Sequence, residues 1–580
     1  MPKSKAHKVL RILTSVFLVL ILGGAGFAFW LAHDYKQLIM ERLPEMVARS
    51  SDSIYHISFS DVSVSLRNHD VTLTGVKLWA DEKQAAALRA RQHYIPPTLS
   101  DVSIPHLEAY GIDWGSLVKN RTLSCKTVDV HDLKWIMKCT PHPGDSLFTH
   151  DEKKSPAISR ITSAQVNFFN PDITYQYDGP REHFDCFMKG GTAVLSDFAY
   201  DYDKTKDTSA FLYARSGKVR FKEFIFSKPA GRYVVKTPDL DFETNANTVT
   251  LRSVKIKNMA DYDQQTSKEK ENYTLSFPAI DLVDFNWNKL INNGVLRISA
   301  VHALEPSIAI RYIRENNPVN GRTGSFPNQL LLKVGLKTNI HELDIKSGHF
   351  TYTEVTKKGA EAVIDFTNIN GSFQNITNLP KVIEKKKSCI VKLQGKFMKK
   401  SDIMVTFDMP LTDSTGRYTI DGYVTNLEGS DVAPQAQVFT IVKVTSFHLD
   451  RMDMHITGDD RYGKGAFTVR YKDLKISLLK FDTKAREGKK GPFAFLGSAL
   501  LLYPSNPMPD KDVRKVSTSF ARDTTKGFIG SIWQHMFRAA KKTAVREQAI
   551  VTLTDGPETN RGDKPKKGFF KRIFAKKKGK

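Results

Sequence analysis

The runs Ile57-Ser58-Phe59, Val62-Ser63-Val64-Ser65-Leu66 and Val71-Thr72-Leu73 place an apolar residue at every second position, with Ser or Thr between. A period of two puts one side-chain set on each face of a β-sheet, here one apolar and one polar. Val62, Val64, Leu66, Val71 and Leu73 therefore belong to one apolar face. The pattern returns near the other end of the chain in Phe467-Thr468-Val469-Arg470-Tyr471 and Leu474-Lys475-Ile476-Ser477-Leu478. Asn, Asp and Gly punctuate the runs, as in Asn68-His69-Asp70, and suit hairpin turns. Few stretches between residues 55 and 480 carry a 3.6-residue period. The expected fold class is mainly β.

The chain also repeats itself. Val71 to Leu78 (VTLTGVKL) matches Val249 to Ile256 (VTLRSVKI), and Ile104 to Leu117 matches Phe277 to Leu290 without a gap. Pro105 then aligns with Pro278, Trp114 with Trp287 and Val128 with Val301. Repetition on this scale predicts an array of sheet units, each touching mainly its neighbours. Some 20–25 strands at ~4.8 Å would form an antiparallel trough on the order of 100 Å long. Sandwich packing of the same faces against one another is the competing arrangement. Polar loops separate the units at Asp201–Ser209, Asn258–Asn272, Glu315–Asn328 and Asp482–Gly491.

Both ends differ from this β region. Ile12 to Ala32 are 21 uncharged, mostly apolar residues behind Lys3, Lys5, Lys8 and Arg11. At ~1.5 Å per residue they span about 31 Å, enough to cross a bilayer core. The basic side predicts a cytoplasmic N-terminus of residues 1–11, a membrane helix at 12–32 and the bulk on the far side. A cleaved signal peptide would have a shorter apolar core. Residues 33–50 read as a short amphipathic helix interrupted by Pro44, residues 51–510 as the β region, and residues 523–546 as a second amphipathic helix. Its apolar face holds Phe528, Ile529, Ile532, Trp533, Met536 and Phe537.

The chain has 86 Lys+Arg against 62 Asp+Glu, a net charge of +24. Residues 547–580 form a basic tail. From Arg561 to Lys580 ten bases face one acid, so +9 of that charge sits in twenty residues. There Phe569, Phe570, Lys571, Arg572, Ile573, Phe574, Lys576, Lys577 and Lys578 mix cations with aromatics, which suits an anionic membrane surface. With an anchor at the other end, nucleic acid is the less favoured partner.

Four cysteines, with no CxxC or Cys/His spacing, do not make a disulfide scaffold. Cys125 and Cys139 fall on neighbouring expected strands; one bridge between them or two buried free thiols are both open. No P-loop, GxGxxG, GxSxG or HExxH occurs, and His341-Glu342 lacks a second histidine at metal-ligand spacing. Neither a catalytic set, a cofactor nor a metal site is expected, so the chain reads as a non-enzyme.

An N-terminal anchor leading into strands resembles the bacterial AsmA-like inner-membrane proteins. So do Gly111 to Leu117 (GIDWGSL), Leu343 to Glu354 (LDIKSGHFTYTE), Asn370 to Thr377 (NGSFQNIT) and Phe467 to Ile476 (FTVRYKDLKI). The resemblance runs over about residues 8–510. Such proteins are similar to the bridge-like, chorein-type lipid-transfer proteins, in which an elongated, twisted sheet curls into a trough with an apolar floor. The resemblance implies an inner-membrane, periplasm-facing protein that binds or conducts phospholipid between envelope membranes. The alternative is a non-enzymatic scaffold for outer-membrane protein assembly, with other envelope proteins as partners. On the lipid reading, Val62, Val64, Leu66, Val71, Leu73, Phe467, Val469, Tyr471, Leu474 and Ile476 line the floor.

Overall fold

The computed structural model describes residues 35–546, apart from 66, 92–94, 96, 142–159, 180–182, 202–209, 229–232, 259–270, 314–322, 357–358, 440–441, 479–501 and 525. The basic N-terminus, the expected membrane helix and the basic tail lie outside the described residues. Among the described residues no helix is long and apolar enough to cross a membrane.

The fold is mainly β, with 26 strands in a large mixed sheet. In chain order the first are β1 (Tyr55–Ser58), β2 (Asp61–Ser65), β3 (Asp70–Ala80), β4 (Thr98–Tyr110), β5 (Thr122–His131), β6 (Lys134–Cys139), β7 (Arg160–Phe169), β8 (Asp172–Asp178) and β9 (His183–Lys189). There follow β10 (Thr192–Asp201), β11 (Ala214–Phe221), β12 (Glu223–Lys228), β13 (Tyr233–Thr237), β14 (Asp239–Glu243), β15 (Thr248–Asn258), β16 (Glu271–Val283), β17 (Val295–Leu304), β18 (Ser307–Ile313), β19 (Lys337–Val355) and β20 (Glu361–Thr377). The last are β21 (Ser388–Phe397), β22 (Ser401–Pro410), β23 (Tyr418–Glu428), β24 (Val442–Gly458), β25 (Tyr462–Leu478) and β26 (Lys515–Ala521). The helices used below are α1 (Tyr35–Ser50), α2 (Glu82–Ala90), α3 (Trp114–Asn120), α4 (Trp287–Asn293), α5 (Pro327–Lys333), α6 (Pro380–Ile383), α7 (Gly429–Phe439) and α8 (Phe528–Ala544).

The chain divides into two compact units. The first holds residues 1–310, 334–348 and 372–385; the second holds 311–333, 349–371 and 386–580.

In the first unit the sheet branches. The C-terminal half of β4 pairs with β5, and its N-terminal half pairs with β6. One arm continues β5, β7, β10, β11, β14; the other continues β6, β8, β9, β12, β13. Both arms rejoin on β15, which pairs β14 through Thr248–Arg252 and β13 through Lys255–Asn258. The sheet is mixed where an antiparallel one was expected, because β5–β7, β6–β8 and β17–β19 are parallel. Parallel neighbours need a crossover of a dozen or more residues. Long connections stand at those places, between Cys139 and Arg160 and between Ile313 and Lys337.

The repeat is real in three dimensions. Val71, Leu73 and Val76 of β3 face Ala109, Leu107 and Ile104 of β4. Val249, Leu251 and Val254 of β15 face Leu282, Ile280 and Phe277 of β16, at the equivalent positions. A short helix follows in each copy, capped by the Asp113 side chain on Ser116 N or by Asn286 on Lys289 N. The match extends beyond the sequence similarity: β1 corresponds to β13, and β2 to β14. Ile57–Leu78 and Val62–Leu73 are partners in one copy, Val235–Ile256 and Leu240–Leu251 in the other. Residues with left-handed φ recur as pairs too: Gly75 and Ser253, Gly111 and Asp284, Asp132 and Glu305, Asn170 and Ser347.

These left-handed residues mark a crease where one arm passes into the other. Asp132 separates β5 from β6, and Asn170 separates β7 from β8. Asn170 Nδ2 donates to Asp132 Oδ1 at 2.7 Å, and their backbone amides donate to Gly191 O and Phe169 O respectively. Asp and Asn tolerate this conformation better than most residues, and each such kink bends and twists the strand that carries it. Gly191, at φ 92°, has no room for a side chain, since a Cβ there would lie 2.1 Å from Arg220 O.

In the second unit, β21–β26 form an antiparallel series. Tyr418, Ile420, Val424, Met452, Ile456, Phe467 and Val469 are buried on one face. Phe528 at the start of α8 meets Tyr418, Phe326 and Phe407 at ring distances of 5.3, 5.0 and 6.1 Å. The residues of α8 that are buried are Ser531, His535, Ala539 and Thr543, spaced by four.

Candidate functional site: a half-open apolar floor

Three strands of the first unit, β1, β3 and β4, carry an apolar line that is fully covered. Ile57, Leu78 and Val102 are direct cross-strand partners and are 3%, 1% and 8% exposed. Helix α1 packs on β1 and β2, and its Leu43 and Val47 belong to the same buried cluster. The equivalent partners in the second copy of the repeat are Val235, Ile256 and Leu275, and all three are half-buried. Register and side-chain type are preserved; the cover differs.

The half-buried state runs across the whole arm between the two copies. One line of direct partners passes Met137, Tyr175, Cys186, Phe226, Val235, Ile256 and Leu275, on β6, β8, β9, β12, β13, β15 and β16. Beside it runs Trp135, Ile173, Met188 and Phe224. All of these are half-buried. At the outer end of the arm, Tyr177 stacks on Phe184 at 4.9 Å, and Phe184 meets Phe226 at 5.5 Å. Among the described residues no helix makes more than marginal contact with β8, β9, β12 or β13. Seven strands at ~4.8 Å give a floor about 29 Å across before twist.

The floor is a low-polarity environment. Burial pushes the Cys186 thiol up to about 11. Burial, and then the hydrogen bond with the Cys139 thiol, raise the Tyr175 phenol well above its ordinary range. Both effects disfavour the charged forms, as desolvation requires. Cys125 and Cys139 are both buried free thiols. No carboxylate lies on the two lines of partners above.

Seven of the ten residues expected on an open floor are instead buried or packed against a buried cluster. Val62–Leu73 and Val64–Val71 are direct partners and share a face, as alternation requires. That face is closed: Val62, Val71 and Leu73 are buried in the cluster that includes Leu43 and Val47 of α1, with Val64 packed against it. The Leu66 side chain lies outside the described residues. Phe467, Val469 and Tyr471 are also buried, beside α8, and the Tyr471 hydroxyl donates to Tyr503 O at 2.9 Å. Only Leu474 and Ile476, beyond a left-handed Asp473, are half-buried. The candidate membrane-surface residues Phe569, Phe570, Lys571, Arg572, Ile573, Phe574, Lys576, Lys577 and Lys578 lie outside the described residues. Reading the sequence missed this half-buried apolar line, although Ile173-Thr174-Tyr175-Gln176-Tyr177 alternates and could have signalled it.

A scan against protein-family models finds no match for this chain, and a search of curated proteins finds none either.

Proposed function

We propose that this chain is a membrane-anchored, non-enzymatic β-groove protein that holds or conducts the acyl chains of phospholipids on the floor described above. The observation that carries this reading is the pair of matched triads. Ile57, Leu78 and Val102 are sealed, whereas Val235, Ile256 and Leu275, at the same positions of the repeat, are left half-open. Exposing a ~16-carbon chain to water costs about 12 kcal/mol at ~0.8 kcal/mol per CH₂, so a carrier needs a continuous apolar surface. A bilayer core of ~30 Å holds two acyl chains end to end, and the floor is of similar extent. The apolar segment Ile12–Ala32 supplies the anchor in this reading, with the bulk of the chain on the periplasmic side of a bacterial inner membrane. The basic tail supplies contact with an anionic membrane surface.

The test is site-specific photo-crosslinking in cells, with a benzophenone side chain at Phe226 or Ile256 and, as control, at the exposed Lys255 on the opposite face of β15. Phospholipid adducts at the first two positions and not at Lys255 support the reading. Equal capture at Lys255, or protein adducts alone at Phe226, would reject it in favour of a scaffold.

A further inference from the structure

On the opposite face of the first unit's sheet, four potential metal ligands meet across β4 and β5. Glu108 is the direct partner of Asp129, and His106 that of His131. Leu107, Ala109, Val128 and Val130 between them point into the core, which sends all four polar side chains outward together. One ligand atom from each of Glu108, Asp129 and His131 lies within 4.8 Å of the other two. His106 Nε2 stands 3.1 Å from Glu108 Oε1, and the rings of His106 and His131 are 5.8 Å apart.

Two carboxylates directly opposite each other on neighbouring strands repel. Elsewhere on this chain such acids are matched by a base, as Asp241 is by Arg220 at 2.6 Å and Asp402 by Lys396 at 2.6 Å. Among the described residues neither Glu108 nor Asp129 pairs with a lysine or arginine. Only the two histidines face them, and those are charged only when protonated. The pair is also held in place from outside. Gln165 Nε2 donates to Asn167 Oδ1 at 2.6 Å, and Asn167 Nδ2 donates to Asp129 Oδ1 at 2.7 Å. The Tyr110 hydroxyl donates a hydrogen bond to the Glu108 carboxylate. Phe169 stacks on His131 at 4.7 Å. Ligands oriented by hydrogen-bonded neighbours are the usual pattern around protein-bound metals.

We propose that His106, Glu108, Asp129 and His131 form a divalent transition-metal site, best suited to zinc. Two imidazoles and two carboxylates are a donor set zinc accepts in tetrahedral geometry. Bonds of ~2.0–2.2 Å place tetrahedral ligands about 3.3–3.6 Å apart, so side-chain torsions must draw the Glu108, Asp129 and His131 atoms, now within 4.8 Å of one another, in by up to about 1.5 Å, and must swing His106 in as the fourth ligand. The ion would neutralise the facing carboxylates and clip β4 to β5. This site is independent of the lipid reading.

The experiment uses the full-length chain in detergent, stripped with a chelator and titrated with Zn²⁺ by calorimetry. Co²⁺ serves as a second probe, since its visible bands report tetrahedral coordination. The expected result is one ion per chain, with a rise in melting temperature on binding. Asn167→Ala should weaken binding by ~10–100-fold. His131→Ala and Asp129→Asn should weaken it further and remove the tetrahedral cobalt spectrum. His455→Ala, a surface histidine that pairs with Asp421, should change nothing. Far-UV circular dichroism shows whether each variant folds, and the near-isosteric Asp129→Asn carries the test if His131→Ala does not. Absence of stoichiometric binding in the parent, or binding unchanged in Asp129→Asn, overturns the proposal.

Discussion

The matched positions Leu78 and Ile256 permit a paired substitution that separates a sealed face from an open one. Leu78→Asp removes a side chain that is 1% exposed. Large-to-small changes at such sites cost about 2–5 kcal/mol, and an unpaired buried carboxylate adds several more. The sum rivals the ~5–15 kcal/mol that holds a typical domain together, so Leu78→Asp should fail to fold. Ile256 is half-buried. Full burial of such a side chain is worth ~1.5–3 kcal/mol, and half of that is about 1 kcal/mol. A carboxylate at this position keeps its water. Ile256→Asp should therefore fold and melt only ~2–4 °C lower, on the scale of ~1 kcal/mol in a unit of this size. Its effect on cargo should be larger. A charge in the path of an acyl chain costs well over the ~1.4 kcal/mol that makes a tenfold difference in occupancy. The assay is thermal unfolding of both purified full-length variants, with mass spectrometry of co-purified phospholipid. If Ile256→Asp unfolds as Leu78→Asp does, the floor is covered and the reasoning is wrong; retention of parental lipid by a folded Ile256→Asp protein refutes the cargo assignment.

Val469, 3% exposed between α8 and its sheet, should behave like Leu78: Val469→Asp lowers the stability of the second unit by at least ~3 kcal/mol, read as loss of its unfolding transition. His535 is fully buried, its Nδ1 shares a 2.8 Å hydrogen bond with Thr518 Oγ1, and desolvation followed by the Arg538 charge lowers its value to about 4. Because the unfolded histidine takes up its proton near pH 6.5 and the folded one only near 4, its contribution is complete above pH 6.5 and falls away toward pH 4. The loss is on the order of 3 kcal/mol, and His535→Gln should flatten that part of a stability-against-pH curve. Gly191→Ala drives a Cβ to 2.1 Å from Arg220 O in a left-handed backbone; more than ~3 kcal/mol should be lost, measured by denaturant titration. A peptide of residues 547–580 should float with anionic vesicles at low salt and release as salt rises; equal flotation with neutral vesicles would refute its electrostatic part.

Much of the architecture was legible because alternation and repetition are local properties. The period of two located β2, β3 and β25, and the aligned Pro105/Pro278 and Trp114/Trp287 marked a duplication that the strand register bears out. Burial was not legible, because alternation names a face and not what lies on it. Val71 and Leu73 look like floor residues in sequence, yet they are sealed in the cluster that includes Leu43 and Val47 of α1, while Tyr175 and Phe226 have no described helix above them. The same limit applies to α8. Its large residues define the strongest apolar stripe, but close approach of helix to sheet favours the smaller Ser531 and Ala539; a Cβ on Gly463 would come within 2.3 Å of His535 Nε2. The parallel pairs escaped notice since period-two strands carry no sign of direction. The His106, Glu108, Asp129 and His131 cluster escaped because its halves lie some twenty residues apart and meet only through the β4–β5 register.

On the lipid reading, the duplication also explains how a half-buried floor is compatible with a stable unit. A sheet with one uncovered apolar face invites aggregation unless that face is short, bent or filled. Here each copy of the repeat brings its own sealed region. Ile57, Leu78 and Val102 are sealed in one cluster with Leu43 and Val47 of α1 in the first copy, and Val249, Val254 and Val301 are buried in the second. The arm of β6, β8, β9, β12 and β13 is suspended between them, anchored on β4 at one side and on β15 at the other. Its partner arm, with Leu195, Phe198, Tyr200 and Phe221 buried, is attached to it along the crease. The half-open strands therefore contribute little to the core and need contribute little, since their backbone pairing is complete on both sides. On the lipid reading, their side chains are free to be chosen for a cargo, and the half-buried line from Met137 to Leu275 is continuous across seven strands.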